Sequence, residues 1–237
     1  MPELAIVLPT YNEKENVEEL LERVEKSLQG MDFEIVIVDD NSPDGTADLA
    51  EKEGKKYGNV RVLRRKGKLG LASAVLDGAG HTSADIIGVL DSDLQEPPEF
   101  LPALYKRLRE GHDIVIGSRY VKGSRIECWG FRRKVISKVA VMMAHMALPE
   151  TRGIRDPSNG FFMFRKSVIK DAKLNPKGFK VLMELLVRGN RGSVSEVPFD
   201  YVGRKRGKSK LDTKEMKTYV SYLRELRKHS RSKRKAS

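Results

Sequence analysis

Four short, largely apolar runs recur in the first ninety residues, and they constrain the fold more than any other feature of the chain. They span Leu4 to Leu8, Glu34 to Val38, Val60 to Leu63 and Ile86 to Leu90. None shows the strict polar alternation of a strand with one wet face. The runs therefore predict strands buried on both sides, as in a parallel sheet covered by helices. Between them Val17, Leu20, Leu21, Val24 and Leu28 repeat at helical spacing, and Asn12 with Glu15 resembles a capping box at the start of that helix. A second helix is expected from Leu71 to Ala79. This alternation makes the fold class α/β, a mostly parallel sheet flanked by helices.

Further along, the pattern predicts a helix from Pro98 to Arg109 and a strand from Asp113 to Gly117. A helix from Arg132 to Leu148, a strand from Phe161 to Phe164, a helix from Gly178 to Arg188 and a last strand from Val194 to Phe199 complete the reading. No repeat and no low-complexity linker divides the 237 residues, a length that suits one substantial domain with an appendage. The expected division is a domain over 1–211 and a basic amphipathic helical tail over 212–237. In that tail Met216, Tyr219, Val220, Leu223 and Leu226 mark one helix face, with Arg224, Arg227 and Lys228 interleaved.

Charge is concentrated in the same place. From Gly203 onward there are fourteen Lys or Arg against three Asp or Glu, a net +11 out of +12 for the whole chain. The domain is thus near neutral and the arm strongly basic, which suits nucleic acid, an anionic membrane or a phosphorylated substrate and chooses among none of them.

The N-terminus lacks the basic and long apolar regions of a signal peptide. The longest apolar stretch, Val135 to Leu148, is interrupted by Ser137, Lys138 and His145, too short and too polar to cross roughly 30 Å of hydrocarbon. No membrane span is expected in this chain. Two readings fit that stretch equally: a core helix, or an apolar face lying on a membrane surface. The single cysteine, Cys128, rules out an internal disulfide and is expected to be a buried structural thiol.

Three polar motifs each follow a predicted strand: Pro9-Thr10-Tyr11-Asn12-Glu13, Asp39-Asp40-Asn41-Ser42-Pro43-Asp44-Gly45-Thr46, and Asp91-Ser92-Asp93-Leu94-Gln95. Loops at the carboxyl ends of the strands line the crevice of an open α/β sheet, so the three belong to one site. Asp91 and Asp93, a D-x-D pair, can offer carboxylate oxygen to a hard cation, Mg²⁺ or Mn²⁺, that also bridges two phosphates. Such a cation neutralises the charge developing on a departing diphosphate.

In that order, these motifs resemble family 2 glycosyltransferases of the GT-A fold, and among them the dolichol-phosphate mannose synthases. The likeness continues through Gly70-Leu71-Ala72-Ser73-Ala74, Glu96-Pro97-Pro98, Gly117-Ser118-Arg119-Tyr120 and Arg132-Arg133-Lys134. It extends to Asp156-Pro157-Ser158-Asn159-Gly160-Phe161-Phe162, Glu196-Val197-Pro198-Phe199 and the run from Arg204 to Leu211. Asn159 departs from the serine more usual in this group.

The resemblance implies a GT-A mixed sheet and a metal-dependent, inverting transfer of mannose from GDP-mannose to dolichyl or another polyprenyl phosphate, giving a β-linked product. It implies that Pro9, Tyr11, Glu13 and Asp40 hold the nucleoside, that Asp91, Asp93 and Gln95 hold the metal and diphosphate, and that Arg119, Arg133, Ser137 and Arg206 receive the acceptor phosphate. Asp91, Asp93, Arg119, Arg133 and Arg206 are accordingly the expected catalytic residues. Peripheral attachment at the cytoplasmic face of a membrane follows, with an anchoring subunit as a further partner and nucleic acid not among the partners.

The chemistry agrees. A lipid phosphate is anionic at neutral pH and attacks without a general base, so the absence of His81, His112, His145 and His229 from every motif is expected. The protein's task is to position two anions and screen their repulsion, and arginine suits the phosphate because its planar fork binds two oxygens at once. A glucosyltransferase using UDP-glucose stays open, because base and sugar choice depend on pocket shape. A nucleic-acid binder is disfavoured by the scarcity of aromatic residues around Arg204 to Lys210. A processive polysaccharide synthase falls well behind, because the lone Trp129 sits outside any Q-x-x-R-W motif.

Overall fold

The computed structural model describes residues 1–175, 180–204 and 213–236. Among them a seven-stranded sheet runs through the centre. The first half is β1 (Leu4–Thr10), α1 (Lys14–Ser27), β2 (Phe33–Asp39), α2 (Thr46–Gly54), β3 (Val60–Arg64), α3 (Leu71–Gly80) and β4 (Ile86–Val89). The second is α4 (Leu101–Arg109), β5 (Ile114–Ser118), β6 (Arg125–Ile126), α5 (Phe131–Ala147), β7 (Phe162–Arg165), α6 (Val181–Arg188), β8 (Val194–Pro198), β9 (Asp200–Tyr201) and α7 (Thr213–Ala236).

The strand order is β3-β2-β1-β4-β7-β5-β8. All neighbours are parallel except β7, which runs antiparallel to both β4 and β5. β1 is buried along its whole length, which is why its sequence carries no alternation. One core layer packs Leu20, Leu21 and Val24 of α1 and Leu101, Leu104 and Leu108 of α4 against the sheet. The other packs Ala72, Val75 and Ala79 of α3 and Leu182, Leu185 and Leu186 of α6 on the opposite face. The chain leaves β1 on one side of the sheet's centre and β4 on the other, so the order reverses between them and opens a crevice at their carboxyl ends.

The expected elements are present with shifted ends, and the start of the helix expected from Gly178 lies outside the described residues. β3 is not buried on both faces as expected, because it is the edge strand of the sheet and leaves Arg61 and Arg64 exposed. Three further readings need correction. Asn12 and Glu15 do not form a capping box: Asn12 is in the left-handed region (φ 57°) and α1 has no side-chain cap from its own turn. The start of α1 is instead tied to the second motif, with the Glu13 N–H donating to Thr46 Oγ1 at 3.0 Å and the Lys14 N–H to Asp44 Oδ2 at 3.2 Å. Cys128 is exposed, while the neighbouring Trp129 is buried. Helix α2 has no counterpart in the sequence reading. It starts where the Thr46 N–H and hydroxyl both donate to Asp44 Oδ1, a turn signal carrying too short an apolar stripe to register as a helix.

The two stretches with membrane readings differ. In α5, Phe131, Val135, Ile136, Val139, Met142 and Met146 are exposed and only Val141 and Ala144 are buried, so the core-helix reading does not hold for most of its length. In α7, Tyr219, Tyr222, Leu223 and Leu226 are buried against α5 and α6; the apolar face of this helix covers protein. The side chain of Met216 lies outside the described residues. Among the described residues no helix is long and apolar enough to cross a membrane.

Candidate functional site

The three polar motifs meet at the crevice. Ser92 Oγ donates to the Pro9 carbonyl at 2.9 Å, joining the β4 loop to the end of β1. The Asp40 N–H donates to the Thr10 carbonyl at 3.0 Å, joining the β2 loop to it as well. Asp39 is fully engaged in holding this frame, taking the Ser42 N–H at 2.8 Å and hydroxyls from Ser42 and Thr10. Asp40, expected at the nucleoside, accepts Arg65 Nη1 and the Gly70 N–H. Arg65 reaches on to Ser73 Oγ at 2.7 Å, so Asp40 pins the loop before α3 beside the site. Lys68 from that loop lies over the Tyr11 ring, 3.8 Å from its centroid. Glu13, at the mouth, takes Asn16 Nδ2 at 2.7 Å.

The D-x-D loop is a strained turn. Leu94 is buried with φ 60°, a conformation that a bulky side chain rarely adopts and that persists only where its surroundings enforce it. It lets Asp93 Oδ1 accept the Gln95 N–H at 3.0 Å and brings Asp91, Asp93, Gln95 and Glu96 together. Asp91 sits against Gly160: a Cβ there would lie 2.6 Å from Asp91 Oδ2. Its Oδ1 is buried with no hydrogen-bond donor. Burial, reinforced by the Asp93 charge, pushes the Asp91 carboxyl up to about 7. Burial and then the charges of Asp91 and Asp93 hold Glu96 well above the ordinary carboxylate range.

Buried carboxylates that repel one another in this way are groups whose ionised form a bound cation would favour. The orphaned oxygen of Asp91 and the Gly160 cradle fit Mg²⁺ or Mn²⁺ at Asp91, Asp93 and Gln95. Among the described residues no group of three or more His, Cys, Asp or Glu could hold a metal ion. The donor set thus suits an ion held by one or two carboxylates and completed by substrate phosphate and water.

Cations surround this loop. Arg204 Nη2 donates to Asp93 Oδ2, and the Val202 N–H donates to the Gln95 carbonyl at 3.0 Å. Lys180 Nζ donates to the Ser158 carbonyl at 2.8 Å, and burial, then the nearby Arg119 charge, lowers it to about 8. Arg119 is bound to the fully buried Asp156 by two parallel bonds of 2.8 and 2.7 Å. Glu196 orients Asp156 by accepting its N–H at 2.9 Å. The Arg119 guanidinium lies 5.1 Å from the Trp129 ring centroid and 5.6 Å from that of Tyr201. Arg133 lies 4.7 Å from Trp129. Ser137 Oγ accepts the Tyr120 hydroxyl at 2.6 Å. Arg119, Arg133 and Ser137 therefore gather around Tyr120 and Trp129. Arg206 lies outside the described residues.

Sequence reasoning gave no role to Glu96, Lys180 and Trp129, or to Asp156 as the partner of Arg119, and it read Arg204 only as part of a basic run suited to phosphate. Glu96, Asp156 and Arg204 stand inside quoted motifs, so the signal was present without a partner to read it against. Lys180 stands in no motif. Asn159 spans the site, donating to the Gly117 carbonyl and accepting the Gly160 N–H at 3.0 Å, so the atypical residue fastens β5 to the glycine beside Asp91.

The family model described as "Glycosyl transferase family 2" matches residues 5–172. The dolichol-phosphate mannosyltransferase of Pyrococcus furiosus is 49% identical over 220 residues, 93% of this chain and 62% of that protein. The chain thus spans under two thirds of the archaeal relative's length. The dolichol-phosphate mannosyltransferase of Saccharomyces cerevisiae is 35% identical over 94% of this chain and 86% of its own length. Among solved structures, glucosyl-3-phosphoglycerate synthase from Mycobacterium tuberculosis, in complex with Mn²⁺, UDP-glucose and phosphoglyceric acid, superposes with a TM-score of 0.70 at 21% identity. That match covers 95% of this chain and 80% of the other, and it bears on the fold alone. With the reversal of strand order where its three motifs meet, the chain belongs to glycosyl transferase family 2 and has the GT-A fold.

Proposed function

We propose that the protein transfers mannose from GDP-mannose to dolichyl or another polyprenyl phosphate, at the cytoplasmic face of a membrane, with inversion at the anomeric carbon. The observation that carries this reading is the meeting of a buried, cation-seeking carboxylate pair with a cluster of arginines on one sheet edge, in a chain 35–49% identical to named dolichol-phosphate mannosyltransferases.

In this reading Pro9, Tyr11, Glu13 and Asp40 form the nucleoside side of the crevice. A divalent ion at Asp91, Asp93 and Gln95, when bound, supplies charge neutralisation for the diphosphate. Arg119, held in place by Asp156, receives the acceptor phosphate with Arg133, Ser137 and Arg206. A phosphate oxygen of the acceptor forms the new bond to the anomeric carbon as the bond to the GDP oxygen breaks. The electron pair leaves with GDP, and no proton has to be removed from the nucleophile. The protein contributes position and electrostatic screening. The exposed stripe of α5 and the basic outer face of α7 support peripheral docking, alone or with an anchoring subunit.

The test is transfer of radiolabel from GDP-mannose to dolichyl phosphate, with Mg²⁺ or Mn²⁺ and again with EDTA, and UDP-glucose run in parallel. Chelator-sensitive labelling from GDP-mannose, lost in Asp91→Ala and Arg133→Ala, is expected. Labelling from UDP-glucose alone overturns the mannose assignment. A product with the α configuration overturns the inverting mechanism.

A further inference from the structure

Helix α5 begins against the usual electrostatic rule. The positive end of a helix dipole favours anions and disfavours cations, by about 0.3–1 kcal/mol for each exposed charge. Its first turn carries no acidic residue and three cations in succession, Arg132, Arg133 and Lys134. No side chain caps it, and its N-cap is Gly130. The amide groups of the first turn, which lack intrahelical acceptors in any helix, therefore add to the positive charge of these side chains.

Beside this terminus lies a second, independent anomaly. Trp129 is only 8% exposed, and its indole Nε1–H is buried without an acceptor; the same is true of Arg133 Nε, whose guanidinium lies against the Trp129 ring. A buried donor left unpaired costs about 1–3 kcal/mol, and native structures retain few of them. The indole also lies close to Arg119 and meets Tyr201 edge-on at 5.2 Å between centroids. Two guanidinium groups beside one ring, two orphaned N–H donors and an uncapped helix start form a place built for a single compact anion. Aromatic packing alone accounts for the ring and leaves the N–H unexplained.

We propose that the Trp129 indole N–H is a direct hydrogen-bond donor to the phosphate headgroup of the acceptor, acting with Arg133 Nε and the α5 N-terminus. The proposal rests on the acceptor-phosphate reading given above and adds a binding residue to it. Trp129 is also the only tryptophan in the chain, so a single indole signal reports on the site.

The test uses the intact protein labelled with ¹⁵N and titrated with farnesyl phosphate, a water-soluble short-chain prenyl phosphate, while calorimetry follows binding. The lone indole N–H resonance is expected to move downfield with saturation at the calorimetric Kd, and to stay still with farnesol. Inorganic phosphate separates lipid headgroup from free phosphate: an equal shift at equal concentration assigns the site to free phosphate and overturns the proposal. Trp129→Phe, which keeps the stacked ring, is expected to weaken farnesyl phosphate binding roughly tenfold or more, the worth of a hydrogen bond to a charged group. The KM for the acceptor should rise in that variant while the KM for the nucleotide sugar is unchanged. Farnesyl phosphate binding with a stationary indole signal and no loss in Trp129→Phe overturns the role of Trp129 and leaves the acceptor reading standing. No binding to the wild-type protein overturns both. The indole titration needs no variant, so a poorly folding Trp129→Phe does not spare the proposal.

Discussion

Asp91, Asp93 and Glu96 lie within six consecutive residues, and their neighbours compensate the resulting repulsion only in part. Asp93 has Arg204, while Asp91 Oδ1 has no donor. Removing the Asp91 charge relieves burial and repulsion together, so Asp91→Asn is expected to raise the Tm of the metal-free protein at pH 8 while abolishing Mn²⁺ binding; a lowered Tm would show that the ionised carboxylate is satisfied after all. Arg204 occupies Asp93 Oδ2, an oxygen that the proposed cation would draw on. Arg204→Gln should therefore tighten Mn²⁺ binding severalfold, read from the free-ion signal in electron paramagnetic resonance without any substrate. Weaker binding in that variant would make Arg204 a support of the metal site. Both readings needed coordinates. The D-x-D pair was legible because its residue types and spacing state its chemistry, whereas the Asp93–Arg204 contact joins positions 111 residues apart.

Among the elements, the loop after β2 does more than face the crevice. Asp44 accepts from Lys14 at the start of α1 and from Thr46 at the start of α2, so one carboxylate caps two helices. Burial tends to raise its pKa, but hydrogen bonds from Thr46 and Lys14 outweigh that and hold it below the ordinary carboxylate range. A depressed folded-state pKa contributes stability above the unfolded-state value that is lost as pH falls through the folded one. Asp44→Ala is expected to lower Tm at pH 7, and the gap from wild type should narrow as pH falls below about 4; a gap constant with pH would remove the carboxylate from the cap. Here too the sequence showed one half. Its apolar runs located β1, β2 and β4 because burial on two faces leaves a mark on every residue. It missed α2, whose start is set by a side chain bonded to two turns at once, and it misplaced the α1 cap because the true partner lies 30 residues away.

For the molecule as a whole, α5 and α7 define one side. Tyr219 of α7 donates to the Ala140 carbonyl of α5 at 2.9 Å, which fixes the helices together. Phe131, Val135, Val139, Met142 and Met146 then form a single exposed stripe, with Arg224, Arg227, Lys228 and Arg231 exposed on the adjoining helix. An apolar stripe beside basic charge suits an anionic bilayer surface. Replacing Phe131, Met142 and Met146 together by Ser should reduce co-sedimentation with anionic liposomes and leave Tm unchanged, since these side chains touch little protein; undiminished co-sedimentation would assign binding to the basic face alone. The sheet imposes a different demand, on biosynthesis. β7 lies between β4 and β5 yet follows both in the chain, and β5 gains its other neighbour, β8, later still. At about 5–20 residues per second, several seconds separate the making of β4 from that of the strand that covers it. Throughout that interval the nascent chain presents an unpaired apolar edge to every other chain nearby. The pace of translation, and any chaperone waiting at the ribosome, then decide whether that edge meets β7 or a stranger first.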